Sequence, residues 1–218
     1  MFTSSTLSRC RKIVAIGKNY ADHIKEMGQA APKDPVLFLK PSTSLVQEPN
    51  PILLKKSLGE IHHEIELALI IGKYGKDIPK EKALDYVGAY ALSIDLTART
   101  LQGEAKKLGM PWSLSKGFDY SCPISNVIPK EEIENPDNID IWLKVNDEMR
   151  QTTNTKNMIN DCSTLIAYIS KYFTLEYGDI ILTGTPSGVS PIKDGDIVTS
   201  GMGSAVKEMT FEVKEIDR

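Results

Sequence analysis

The sequence predicts an α+β fold in which strands outnumber helices. Short apolar runs recur along the chain, bounded by Gly, Pro and Asn-Asp signals, whereas only one segment carries a clear helical apolar periodicity. The connections between them read as hairpins and loops, without the regular crossover helices that a doubly wound parallel sheet needs. No internal repeat or linker divides the 218 residues, a length that suits one domain with a sizeable core.

Ile13-Val14-Ala15-Ile16 predicts a strand ending at Gly17. Asn19 is placed to cap a helix from Tyr20 to Met27, which Gly28 stops. After a proline-studded loop, Val36 to Leu39 predicts a strand that ends at Lys40-Pro41. The run from Glu64 to Ile71 predicts another, ending at Gly72, and a further apolar strand starts near Tyr86 and leads to Asp95. Thr100 to Leu108 predicts a helix with Lys106 and Lys107 in its last turn and Gly109 as C-cap. Ile139 to Asn146 partly alternates with period two and reaches a turn at Asn146-Asp147. Asp161 or Ser163 caps the one clear amphipathic helix, with Leu165, Ile166, Ile169 and Phe173 on its inner face. Gly178 to Leu182 and Met209 to Val213 supply the remaining strands.

Hydrophobic content of 41% and charged content of 25% are those of a soluble globular chain. A formal net charge of −3 argues against nucleic acid as the main partner, and Lys55-Lys56 and Lys106-Lys107 read as ordinary solvated pairs. No apolar run approaches the ~18 residues that cross a bilayer. Cys10, Cys122 and Cys162 are odd in number and show no metal-type spacing, which suits a reducing compartment. The stretch before Ile13 carries Arg9, Arg11, Lys12 and several Ser and Thr, and no acid precedes Asp22. Organelle transit peptides share that bias, although this stretch is short and lacks an amphipathic turn.

The acids carry the sharpest signal. Glu64 and Glu66 stand at i and i+2 in a strand, so both project from one face. Two anions roughly 6 Å apart repel by about 3 kcal/mol at an effective dielectric near 20. Asp95 is a third carboxylate in apolar surroundings, where a lone charge is costly. Together they point to a bound divalent cation, and an all-oxygen donor set suits Mg²⁺ or Mn²⁺ over Zn²⁺. The bland alternative puts the two glutamates on a solvated strand face and Asp95 at a turn. His23 and Glu26 share a helix face, the arrangement in which a carboxylate orients an imidazole base, or else an ordinary surface contact. His62 and His63 precede the acidic strand and read equally well as supports of the cation site or as surface residues. Gly184-Thr185-Pro186-Ser187-Gly188 reads as an anion-cradling loop or as a plain turn, and it lacks the lysine of a P-loop.

In series these segments resemble the fumarylacetoacetate hydrolase family, in its short single-domain members. The matching stretches are G-K-N-Y-A-D-H-I-K-E (17–26), L-F-L-K-P-S-T (37–43), H-H-E-I-E-L (62–67), D-Y-V-G-A-Y (85–90), D-L-T-A-R (95–99), K-G-F-D (116–119) and G-D-I-I-L-T-G-T-P-S-G-V (178–189). Each is weak alone; in family order along nearly the whole chain they are specific. The resemblance implies a mixed β-sandwich roll, β-rich with a few short helices and commonly a homodimer. It implies Glu64, Glu66 and Asp95 as ligands of Mg²⁺ or Mn²⁺, His23 and Glu26 as a catalytic dyad on a lid, and Lys116 as an active-site lysine. Lys18, Arg99, Gln102 and Thr185 fall where members contact substrate. Many members have arginine at the position of Lys18, and a lysine keeps the charge but loses the bidentate fork. The matching branch is mitochondrial, with the cytoplasm as the alternative address. Residues 1–12 then form an N-terminal segment of transit character and 13–218 the catalytic domain.

The expected substrates are small 2-oxo acids, oxaloacetate and acylpyruvates, acting through a metal-stabilised enolate between C2 and C3. That one enolate serves keto–enol tautomerisation of oxaloacetate, its decarboxylation to pyruvate, and hydrolytic cleavage of acylpyruvates. The alternatives are a hydratase or isomerase of aromatic ring-cleavage products, and a metal- or dicarboxylate-binding protein without efficient turnover.

Overall fold

Two packed sheets position everything that follows. The computed structural model describes residues 4–28, 30–203 and 206–217. We label the strands of the two sheets β1 (Ile13–Gly17), β2 (Val36–Lys40), β3 (Ile52–Lys55), β4 (Ile65–Ile71), β5 (Val87–Ile94), β6 (Ile128–Pro129), β7 (Asp140–Val145), β8 (Glu148–Asn154), β9 (Ile180–Leu182), β10 (Ile197–Met202) and β11 (Val206–Ile216). The helices are α1 (Ser4–Leu7), α2 (Ala21–Glu26), α3 (Arg99–Leu108), α4 (Ser113–Lys116) and α5 (Cys162–Ser170).

The first sheet runs β6-β5-β4-β9-β1-β2 and the second β8-β7-β10-β11-β3. Pairing is antiparallel except for β1 with β9 and β11 with β3, so the architecture is the mixed, β-rich α+β arrangement predicted. One core cluster includes Leu67, Leu69, Leu92 and Ile94 of the first sheet, Ile141, Leu143, Val198 and Phe211 of the second, and Leu165, Ile166 and Ile169 of α5. A second cluster gathers Ile13, Ala15, Ala68, Ile70, Ile180 and Leu182 with Leu7 and Cys10. The first sheet is therefore buried on both faces. That explains why β4 is an unbroken apolar run apart from Glu66, with all seven residues buried. Each fully buried Leu or Ile contributes about 1.5–3 kcal/mol.

Several predicted boundaries move. Glu64 and Asp95 fall just outside their strands, because the last paired residues of β4 and β5 are Ile65 and Ile94. Asn19 does not cap α2; its amide instead donates to the carbonyls of Asn160 and Thr183 at 3.0 and 2.8 Å, tying β1 to the loop after β9. Helix α2 is shorter than predicted at both ends, and Met27 occupies its C-cap. Phe173 lies beyond α5, which ends at Ser170, yet still packs on the core. Asp161 is the N-cap of α5, accepting from the Thr164 N–H at 2.7 Å. Gly109 closes α3 in the left-handed conformation, φ +65, as predicted.

Candidate active site

The acids meet at one end of the first sheet. Glu66 enters on β4, Glu64 immediately precedes it, and Asp95 leaves β5, its antiparallel neighbour, so three carboxylates arrive side by side. The Asp95 N–H donates to the Glu64 carbonyl at 2.8 Å and extends the pairing one step past the strand ends. One carboxylate oxygen from each acid lies within 4.8 Å of the others, and all three residues are buried.

Cations surround them. Lys116 Nζ reaches Glu64 at 2.9 Å and Asp95 at 2.5 Å, and Arg99 reaches Glu64 at 2.7 Å. Burial alone would push the Glu64 carboxyl up, but the charges of Lys116 and Arg99 outweigh it and hold it well below the usual range. Burial likewise opposes the charged form of Lys116, yet the carboxylates of Asp95 and Glu64 raise it above its ordinary value. Glu66 is the odd member. Its Oε2 accepts the Gly184 N–H at 2.6 Å, and burial followed by the charges of Asp95 and Glu64 raises its carboxyl well above normal. Buried, converging and oxygen-only, the trio fits a hard divalent ion.

Seven of the ten predicted site residues line one cavity of about 30 Å³: Lys18, His23, Glu64, Arg99, Gln102, Lys116 and Thr185. Glu66 and Asp95 join it through the carboxylate cluster, and Glu26 through His23. His23 Nδ1 is 3.0 Å from Glu26 Oε2, while Glu26 Oε1 accepts from the Gly188 N–H at 3.2 Å. With the Nδ1 proton directed at Glu26, Nε2 is left as the basic nitrogen. Lys18 adopts a left-handed backbone, φ +62, which costs a non-glycine residue roughly 1 kcal/mol.

The loop predicted as an anion cradle or a plain turn grips the protein's own carboxylates, Glu66 through Gly184 and Glu26 through Gly188. Gly184 has φ +98, and a Cβ there would stand 2.7 Å from that of Asn19, so no larger residue suits the position.

Three groups escaped sequence reasoning. Lys106, read as a solvated lysine, lines the cavity, where burial and then the Arg99 charge lower its pKa. Arg99 and Lys106 both donate to Gln102 Oε1, at 2.9 and 3.3 Å, so the Gln102 amide protons are left for the cavity. Lys40, the end of an apolar strand, is buried against Asp95 at 2.6 Å and also donates to the Lys116 carbonyl. Its only sequence signal was a charge closing an apolar run before proline. Phe38 and Trp112 wall the cavity, with Lys116 Nζ 4.9 Å above the Phe38 ring and Lys106 Nζ 5.2 Å above that of Trp112. His63, left open between support and surface, is buried and pushed down to about 4 by that burial, hence neutral near pH 7.

The family model described as fumarylacetoacetate (FAA) hydrolase C-terminal matches residues 12–213. The chain is 48% identical to the mitochondrial oxaloacetate tautomerase FAHD1 of Homo sapiens, over 99% of both chains. It is 47% identical to the mitochondrial oxaloacetate decarboxylase of Dictyostelium discoideum, over 93% of this chain and 94% of the other. Among solved structures, a fumarylpyruvate hydrolase of Pseudomonas aeruginosa in complex with Mn²⁺ and pyruvate superposes with a TM-score of 0.90 at 33% identity. The match covers 95% of this chain and 91% of that one.

Proposed function

This chain belongs to the fumarylacetoacetate hydrolase family, and from that premise we propose that it is a Mg²⁺- or Mn²⁺-dependent enzyme of oxaloacetate and acylpyruvates, with oxaloacetate tautomerisation as its leading reaction. The observation that carries the reading is a buried Glu64-Glu66-Asp95 cluster opening on a cation-lined cavity beside His23. Relatives that share about half their residues with the chain are named for oxaloacetate tautomerisation and decarboxylation, and a structural neighbour for fumarylpyruvate hydrolysis. The leading reaction asks least of the site, because only one proton must move.

A bound divalent ion supplies Lewis-acid stabilisation of negative charge developing on a 2-oxo acid. The remaining work falls to side chains. Arg99, Lys106 and Lys18 draw the substrate carboxylates into the cavity, and the Gln102 amide and Thr185 hydroxyl orient them. His23, held by Glu26, takes the proton from C3 and delivers it to the C2 oxygen, and the reverse transfer restores the keto form. For an acylpyruvate the same base takes a proton from a water that attacks C4. The C3–C4 bond breaks with its electron pair left on C3, which takes up that proton, giving pyruvate and a carboxylic acid. Lys116 keeps positive charge beside the reacting oxygens. Three acids, one divalent ion and the three directly paired cations Lys40, Lys116 and Arg99 leave the centre net positive, suited to a dianion such as oxaloacetate.

Residues 13–218 form the catalytic domain in this reading. The protein acts in the mitochondrion, as its relatives' names state for theirs. It acts as a homodimer, supported by Leu39 and Met110 standing exposed on one apolar groove, and sedimentation velocity checks the assembly.

The test is a parallel assay of enol-oxaloacetate ketonisation, oxaloacetate decarboxylation and acetylpyruvate cleavage with Mg²⁺. Ketonisation is expected to be fastest, and EDTA should silence all three. His23→Ala should keep Mg²⁺ binding and lower acetylpyruvate cleavage by at least ~100-fold. Near-wild-type cleavage in that variant removes the dyad from the mechanism.

A further inference from the structure

Gln151 lies on β8 of the second sheet, 1% exposed, and its amide reaches the end of the first sheet where the site forms. Two backbone partners fix its orientation. The Ile65 N–H donates to Oε1 at 3.0 Å, and Nε2 donates to the Pro186 carbonyl at 3.1 Å. A backbone N–H only donates and a carbonyl only accepts, so the oxygen and nitrogen of this amide cannot be exchanged. His63 Nδ1, 2.8 Å from the same Oε1, must then carry its proton there, and its Nε2 accepts from Ser190 Oγ at 2.8 Å.

The consequence falls on Thr185. Gln151 Nε2 stands 2.9 Å from Thr185 Oγ1 and can only be the donor, so the threonine oxygen accepts. A hydroxyl carries one proton, and among the described residues that proton meets no acceptor. Thr185 lines the cavity with His23, Arg99 and Lys116. We propose that Gln151 is a positioning residue that commits the Thr185 hydroxyl to donate toward an oxygen of the bound 2-oxo acid. A freely rotating hydroxyl would present a lone pair to an anion in part of its orientations. The amide removes that choice before the ligand arrives, and its own donation strengthens the hydroxyl as a donor.

The inference takes its ligand class from the function proposed above, so the test reads binding and turnover separately. The affinity of Mg²⁺-saturated protein for pyruvate is measured by calorimetry for wild type, Gln151→Glu, Thr185→Val and the double variant. A carboxylate at 151 can still accept from Ile65 and now accepts the Thr185 proton, which reverses the hydrogen bond. Each single substitution should weaken pyruvate about 10-fold or more, on the scale of a hydrogen bond to a charged group. The double variant should bind within about 2-fold of Thr185→Val, and Thr185→Ser should keep wild-type affinity to within about 3-fold. A purely structural or charge-repulsion role would make the losses multiply instead. Multiplying losses, or unchanged binding in Thr185→Val, overturn the proposal. If Gln151→Glu does not fold, Gln151→Met runs the same cycle with the same expectation. Non-additive binding without oxaloacetate turnover refutes the proposed function and leaves this inference standing; turnover with multiplying losses does the reverse. A wild-type protein that fails to bind pyruvate refutes both.

Discussion

Lys40 has a fully buried ammonium, held by Asp95 at 2.6 Å and by the carbonyls of Leu96 and Lys116. Its three protons thus pin one carboxylate of the acidic cluster and the backbone of α4 to the end of β2. Removing one partner of such a pair strands the other in a low dielectric and typically costs about 3–5 kcal/mol. Lys40→Met should therefore lose about that much stability in urea unfolding, and a loss below ~1 kcal/mol would show that Lys116 alone neutralises Asp95. The cysteines are quieter residues. All three are buried and free, and burial first of all pushes the thiols of Cys10 and Cys122 up to about 12 and about 11, so neither is a nucleophile at neutral pH.

Among the elements, α5 has its start set by one side chain, Asp161, which accepts the Thr164 N–H. Burial would raise the Asp161 carboxyl, but Lys80 and the Thr164 N–H outweigh it and hold it below its ordinary 3.8. Asp161→Ala should destabilise the protein by about 0.5–2 kcal/mol at neutral pH, the usual range for a lost N-cap. Because the native pKa is the lower one, the stabilisation is complete above the unfolded value and fades as pH falls through the native value. Melts of wild type and variant should therefore converge in acid, below pH 3.8, and a gap that persists there would mean the aspartate acts by packing instead.

At the scale of the whole molecule, the acidic cluster joins ends of adjacent strands, where Lys40, Lys116 and Arg99 offset part of the mutual repulsion. A divalent ion that binds only the folded state stabilises it by about 2.7 kcal/mol at a concentration 100 times its Kd. For a chain of this size that corresponds to a rise of roughly 5–10 °C in melting temperature. Calorimetric scans with and without Mg²⁺ should show that rise in the wild type and none in Glu66→Ala. An equal rise in the variant would place the ion elsewhere.

How much was legible in advance differs by element and residue. Helix α3 and its Gly109 cap, the hairpin turn at Asn146-Asp147 and the N-cap of α5 rest on local chemistry, and the structure keeps them. Asn19 failed as a cap because a distant pair of carbonyls competed for its amide. Lys106 is exposed as read, yet it also lines the cavity, because α3 turns its ammonium toward Gln102 and Trp112, which local sequence does not show. Gln151 gave no signal: it sits among polar residues of β8, and its value comes from partners at Ile65 on the first sheet and at Thr185 and Pro186 in the loop after β9.

By itself the sequence determined the α+β class and the donor chemistry, because periodicity, turn residues and carboxylates in apolar runs are local properties of the chain, and it carried the family through the seven stretches that resemble it in order. The tertiary structure alone decided which cations face the acids, how the Gln102 and Gln151 amides are turned, and how small the cavity is. Those depend on which strand ends and loops the packing of two sheets brings within about 3 Å of each other, the range over which hydrogen bonds act and which sequence separation does not measure.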